Sequence, residues 1–135
     1  MGIRLSTISR YGLRAMIELA KNESGGLLSA KEISLRQNIP LRYLENIMLR
    51  LLASGLVISS RGKKGGFSLS REPSKIKISE IIKALEGGSF ITPCVDDPSI
   101  CKRSPFCETR PLWKEMNEIL WEALESKTLE DLLKR

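Results

Sequence analysis

The most reactive chemistry in the chain belongs to Cys94, Cys101 and Cys107, spaced C-x6-C-x5-C, with no cysteine elsewhere and no histidine at all. Thiolates bind soft and borderline metals, and three on one short stretch can converge on an iron-sulfur cluster or a zinc ion at little ordering cost. The spacing is wider than the C-x2-C knuckles usual in zinc sites. An odd cluster of cysteines in a chain read as cytosolic also argues against a disulfide framework. Lys102 and Arg103 adjoin Cys101. Neighbouring cations lower thiol pKa values and help neutralise an anionic cluster. Reactive but unliganded thiols are the other reading of the same spacing.

The cysteines lie between Ser89 and Glu108, where no helical or strand period survives and Pro93, Pro98 and Pro105 punctuate the chain. That pattern predicts an irregular loop, and a long loop in a small domain is usually functional or disordered.

Upstream, Ile8, Tyr11, Gly12, Ala15, Met16, Leu19 and Ala20 recur at three-and-four spacing and predict an amphipathic helix from Ser6 to about Asn22, ended by Glu23 to Gly26. Ser29-Ala-Lys-Glu32 has the form of a capping box and opens a short helix from Ala30 to about Gln37. Pro40 suits the first position of a further helix, Leu41 to Ala53. The stripe Leu41, Leu44, Ile47, Met48, Leu51 and Leu52 is apolar, while Arg42, Tyr43, Glu45, Asn46 and Arg50 lie mostly off it. A short helix, a tight turn and a longer helix with a polar outer face make a helix-turn-helix.

Leu56 to Ser59 and Phe67 to Ser70 read as strands around the cationic, glycine-rich turn Arg61-Gly-Lys-Lys-Gly-Gly66. A hairpin placed directly after a helix-turn-helix is a wing. Ile78 to Glu86 reads as one more helix, closed by Gly87 and Gly88. Arg42, Tyr43 and Asn46 are then placed to meet base edges and phosphates in a major groove. Glu45 can only accept, for example from a cytosine amino group. Arg61, Lys63 and Lys64, among glycines, suit phosphate contact and entry into a narrow minor groove.

Beyond the cysteines, Pro111 opens a long helix to Glu125 with Leu112, Trp113, Met116, Ile119, Leu120, Ala123 and Leu124 on one stripe. Such a stripe packs on its own domain or pairs with a second copy. Pairing is preferred, because a helix-turn-helix protein reading two half-sites needs a two-fold dimer. Trp113 and Trp121 then belong to the core or the interface. Thr128 to Asp131 caps a last helical turn.

Charge agrees with a polyanion partner. Residues 1–80 hold 14 Lys/Arg against 6 Asp/Glu, a surplus of +8, whereas residues 81–135 hold 8 against 10, a balance of −2. Clustered cations gain affinity for phosphates by releasing condensed counterions. No stretch approaches the roughly 20 apolar residues of a membrane span, and no apolar segment follows Met1–Arg10 as in a secretory leader, so a cytoplasmic, membrane-free protein is expected. With no histidine, no recognisable carboxylate pair and no phosphate-cradling loop that opens a helix, no catalytic constellation is present.

The stretches Leu5–Met16, Pro40–Asn46, Ser54–Val57, Arg61–Phe67, the three-cysteine loop and Leu112-Trp113 together resemble, end to end, the Rrf family of bacterial regulators, which includes IscR and NsrR types. The resemblance implies a mainly α-helical winged helix-turn-helix with a small β-hairpin wing, joined as a homodimer through the long C-terminal helix. It implies that cluster state tunes affinity for a double-stranded DNA operator. It assigns cluster thiolates to Cys94, Cys101 and Cys107, recognition contacts to Arg42, Tyr43 and Glu45, and the wing arginine to Arg61. The expected organisation is a DNA-binding domain over 1–88, a cluster loop over 89–108, and a dimerisation helix with tail over 109–135.

One departure matters. IscR-type members carry a histidine three residues after the last cysteine, where this chain has Arg110, and NsrR-type members use a first-helix aspartate of the partner, where it has Arg10. The fourth ligand is open among Glu108, Asp96, Asp97, a small thiol and solvent. Of the cluster types, 2Fe-2S is preferred and 4Fe-4S is the alternative. The rival functions are a winged-helix protein-interaction adaptor and a DNA binder with zinc- or thiol-based sensing.

Overall fold

Helix α1 (Thr7–Lys21) starts where Ser6 turns extended and its hydroxyl accepts the Ser9 amide at 3.2 Å. A computed structural model of the chain describes residues 5–22, 26–87 and 90–133. The break expected at Glu23 to Gly26 lies, Gly26 apart, outside them, as do Gly88 and Ser89. Of the expected i, i+3, i+4 set of α1, Gly12, Ala15, Met16, Leu19 and Ala20 are buried, as is Ser9, while Ile8 and Tyr11 are half-buried.

Helix α2 (Ala30–Gln37) is capped by Ser29, whose hydroxyl accepts from the Glu32 amide at 3.1 Å, the serine half of the expected box. Asn38 then turns left-handed, φ 54°, and reverses the chain tightly into α3 (Leu41–Ala53). Pro40 is the residue before α3 and not its first helical position. Its ψ of 130° is extended, and its carbonyl accepts the Leu44 amide at 2.9 Å. Leu44, Ile47, Met48 and Leu51 are buried, and α2 packs on α3.

Strands β1 (Val57–Ser60) and β2 (Gly66–Leu69) pair antiparallel in the register Val57 with Leu69 and Ser60 with Gly66. The hairpin thus begins and ends one residue off the expected bounds. It is docked by a bridge between Phe67 and Leu28, with N–H to carbonyl distances of 3.0 and 2.7 Å. Helix α4 (Ile78–Glu86) closes at Gly87, φ 76°.

The segment expected to lack helical structure instead contains α5 (Pro93–Asp96) and two 3-10 turns, Pro98–Ile100 and Ser104–Phe106. Each carries a proline in its first two positions, where a missing N–H costs nothing and φ is already set. The prolines read as punctuation are therefore the starts of short turns. Helix α6 (Arg110–Glu125) opens one residue before Pro111, and α7 (Leu129–Leu133) follows a reciprocal cap between Thr128 and Asp131.

One core joins these parts. Met16, Ile33, Leu44, Ile47, Met48, Leu51, Ile81 and Ile82 are fully buried, and Leu129 of α7 is buried among them. The tail is tied in by Leu129 N–H to the Ile76 carbonyl and Ile78 N–H to the Lys127 carbonyl, both 2.9 Å. The architecture is mainly helical with one two-stranded hairpin, as the sequence suggests. Among the described residues, no helix is long and apolar enough to cross a membrane.

Candidate nucleic-acid interface and cysteine loop

The buried stripe of α3 fixes what its opposite side presents. Arg42, Glu45, Asn46 and Leu49 are exposed there, at i, i+3, i+4 and i+7. Arg50 folds across the edge of this face: Nε donates to Asn46 Oδ1 at 3.3 Å and Nη1 to the Leu85 carbonyl at 3.2 Å. The amide oxygen of Asn46 thus accepts a hydrogen bond from the side chain one turn on. Tyr43 sits apart from this face. It is half-buried, with its ring edge-on to Tyr11 at 5.6 Å, and Arg14 lies 5.2 Å from the Tyr11 ring centre.

Arg61, Lys63 and Lys64 are exposed at the hairpin tip. Gly66 permits the close approach that seats the hairpin: a Cβ there would overlap the Leu28 carbonyl and lie 2.9 Å from the Ser29 nitrogen. The wing is thus backed by the segment that opens the helix-turn-helix.

The first cysteine lies in a helical turn, and the other two each follow one. Cys94 is half-buried in α5, its Sγ 3.1 Å from Thr92 Oγ1; Cys101 is exposed after the first 3-10 turn; Cys107 is half-buried after the second, its Sγ 3.3 Å from Thr109 Oγ1. The Thr109 hydroxyl, with the amides of Thr109 and Arg110, holds the Cys107 thiol below its ordinary pKa, and Arg103 adds a small Coulombic contribution. At Cys107, hydrogen bonding contributes more than the nearby Arg103 cation.

Arg110 joins this loop to α6. Its Nε and Nη2 each donate to the Cys94 carbonyl at 3.2 Å. Phe90 packs on Trp121 of α6, ring centres 5.0 Å apart. At the position where the family resemblance would place a histidine, Arg110 instead grips the backbone of a cysteine.

Within the helical half, Glu86, the last residue of α4, ties α4 to the start of α1. Its Oε2 accepts from the Ser6 amide at 3.0 Å, the Ser6 hydroxyl at 2.6 Å and the Ser9 hydroxyl at 2.5 Å. Burial pushes this carboxyl up, but the hydrogen bonds from Ser6 and Ser9 outweigh it and hold the pKa below its ordinary value.

The donor set suits an iron-sulfur cluster in kind: three soft thiols on one short segment. Ser104, between Cys101 and Cys107 in sequence, is buried, and its hydroxyl has no partner among the described residues. The thiols are not gathered, however. Among the described residues, no three Cys, Asp or Glu side chains come together closely enough for a metal ion. Loading would therefore require the short turns to move.

The face of α6 divides. Trp121 and Leu124 pack on the chain's own core, whereas Leu112 (51% exposed), Ile119 (57%), Leu120 and Ala123 face outward, with Trp113 and Met116 half-buried between them. The residues that sequence reading passed over are Glu86, Arg50, Leu49 and Arg110 as a tether. Arg50 at i+4 from Asn46 was legible as a pair. The contact between Glu86 and Ser9 spans 77 residues and has no local signature.

The Rrf2 family profile, described as an iron-dependent transcriptional regulator, matches residues 5–135. An HTH-type regulator from Azotobacter vinelandii is 37% identical over 133 residues, covering 98% of this chain and 80% of that one. The solved structure of T. potens IscR superposes with a TM-score of 0.80 at 37% identity, covering 99% of this chain and 88% of its own. That of CymR, the global cysteine regulator of B. subtilis, superposes at 0.77 with 38% identity, covering 97% and 96%. With the winged helix-turn-helix in place and nearly the whole length matched, the chain belongs to the Rrf2 family of transcriptional regulators, which are DNA-binding and not enzymes.

Proposed function

We propose that this protein is a homodimeric, sequence-specific operator-binding regulator whose DNA affinity is set from its three-cysteine loop through an iron-sulfur cluster. The observation that carries the reading is the double hydrogen bond from Arg110 to the Cys94 carbonyl. It makes the sensing loop and the dimer helix one mechanical unit. Arg42, Glu45 and Asn46 read base edges, Tyr43 supports them at the rim, and Arg61, Lys63 and Lys64 hold phosphates.

Cys94, Cys101 and Cys107 would hold the cluster, which when bound supplies a redox- and iron-responsive anchor for the thiolates. The fit of the chain to this group rests on the thiol set and the orphaned Ser104 hydroxyl. The outward face of α6, centred on Ile119, pairs with its copy and sets the separation of the two reading helices.

A second reading, thiol sensing without a metal, is favoured by one observation: among the described residues the three sulfurs do not gather into a metal-binding group, and two of them lie beside threonine hydroxyls. Anaerobic purification followed by absorption spectroscopy and iron and sulfide analysis separates the two. Brown protein with near-stoichiometric iron and sulfide supports the cluster; colourless protein, even after reconstitution, supports thiol chemistry or zinc. For the DNA reading, Arg61→Ala should weaken operator binding uniformly across sequences and lower the salt slope by roughly one phosphate contact. Unchanged binding and slope would count against the wing.

A further inference from the structure

The outer face of α3 has an apolar centre that charge-based recognition leaves unused. Successive residues of a helix turn by about 100°, so Leu49, seven residues after Arg42, lies only about 20° from it around the axis. It also stands one turn beyond Glu45 and beside Asn46. The buried set Leu44, Ile47, Met48 and Leu51 occupies the opposite side. Leu49 is 66% exposed, so it contributes little to the core, and it is the large aliphatic side chain at the middle of the polar reading face.

We propose that Leu49 is a specificity-determining residue that packs against the 5-methyl group of a thymine in the major groove. The inference rests on α3 being the reading helix. The major-groove edge of thymine is the one base edge that offers an apolar group to a side chain. On a face whose other members are Arg42, Glu45 and Asn46, a leucine has that group as its natural complement. A charged or hydrogen-bonding base edge would lose water to it without gaining a partner.

The geometry also places the thymine. Four residues of helix rise about 6 Å. Along duplex DNA, at about 3.4 Å per base on each strand, that is one to two base pairs. The thymine touched by Leu49 therefore lies within one to two base pairs of the base read by Glu45. Asn46, whose amide oxygen accepts from Arg50 Nε, stands beside Leu49 on the same face.

The test begins by selecting preferred duplexes from a randomised pool with the full-length protein. Each thymine of the selected operator is then replaced in turn by deoxyuridine, which removes only the methyl group. A buried methyl is worth about 0.8 kcal/mol, or about fourfold in affinity per half-site and about 15-fold when both half-sites are changed. The expected result is that one such position per half-site shows this loss with the wild-type protein. Leu49→Ala, at an exposed helical position, should keep the fold and bind thymine and deoxyuridine operators equally. Indifference of the wild type to every deoxyuridine, or the same loss in Leu49→Ala, overturns the proposal while leaving operator binding intact. Selection of no preferred sequence would instead defeat the DNA-reading assignment of α3, and this proposal with it.

Discussion

Arg110 grips the backbone of Cys94: two guanidinium nitrogens donate to one carbonyl, each at 3.2 Å, across 16 positions of sequence. A displacement of the first cysteine's turn must therefore pull on the first residue of α6. Arg110→Ala should uncouple the loop, costing about 1 kcal/mol of stability for a partly buried charged hydrogen bond. Faster hydrogen exchange at Val95 and faster thiol labelling of Cys94 would report the release. Unchanged exchange and labelling would show that the contact does not restrain the loop.

Glu86 ties the start of α1 to the end of α4. Because its folded pKa is depressed, its contribution is present above the unfolded value, 4.5, and is lost as pH falls through the lower folded value. Glu86→Ala should cost about 1–2 kcal/mol at neutral pH, since the buried Ser9 hydroxyl loses its acceptor. The stability difference between variant and wild type in urea melts should shrink as pH falls from 4.5 through the lower folded value. A difference that stays constant into acid would contradict an ionised lock.

Gly66 is needed for space. A Cβ there would run into the backbone of Leu28 and Ser29, which cannot move as a side-chain tip can. Gly66→Ala should cost about 1–3 kcal/mol and displace the wing. Operator affinity, measured by anisotropy below the melting transition, should fall more than that of Ser68→Ala, a change in the same strand without the overlap. Equal affinities would mean the wing seat is not used.

Ile119 stands on the outward face of α6. Ile119→Glu should convert the dimer to monomer in sedimentation and weaken operator binding, while the monomer stays folded because no core contact is lost. A dimer of unchanged association constant would place the interface elsewhere.

The elements governed by local periodicity were legible to within a residue. Ser6, Ser29 and Gly87 mark helix ends, and the stripe from Leu44 to Leu51 finds the core. Pro40, Pro93, Pro98 and Pro105 were harder, since a proline both breaks a helix and starts one, and only the ψ that follows decides. The tether of Arg110 and the acceptor role of Glu86 depend on contacts between distant segments. Nothing near either residue in sequence announces its partner. Leu49 went unremarked in the sequence, and its meaning needed the opposite face of α3 to be shown buried.

The most direct measurement is operator affinity of anaerobically purified protein before and after iron is stripped by a chelator, alongside Cys101→Ser treated identically. Control through the cysteine loop requires a change of roughly 5- to 150-fold in the wild type, the range of a typical allosteric coupling, and none in the variant. Equal affinities of loaded and stripped wild-type protein, both folded and dimeric, would contradict iron-sulfur control of this regulator.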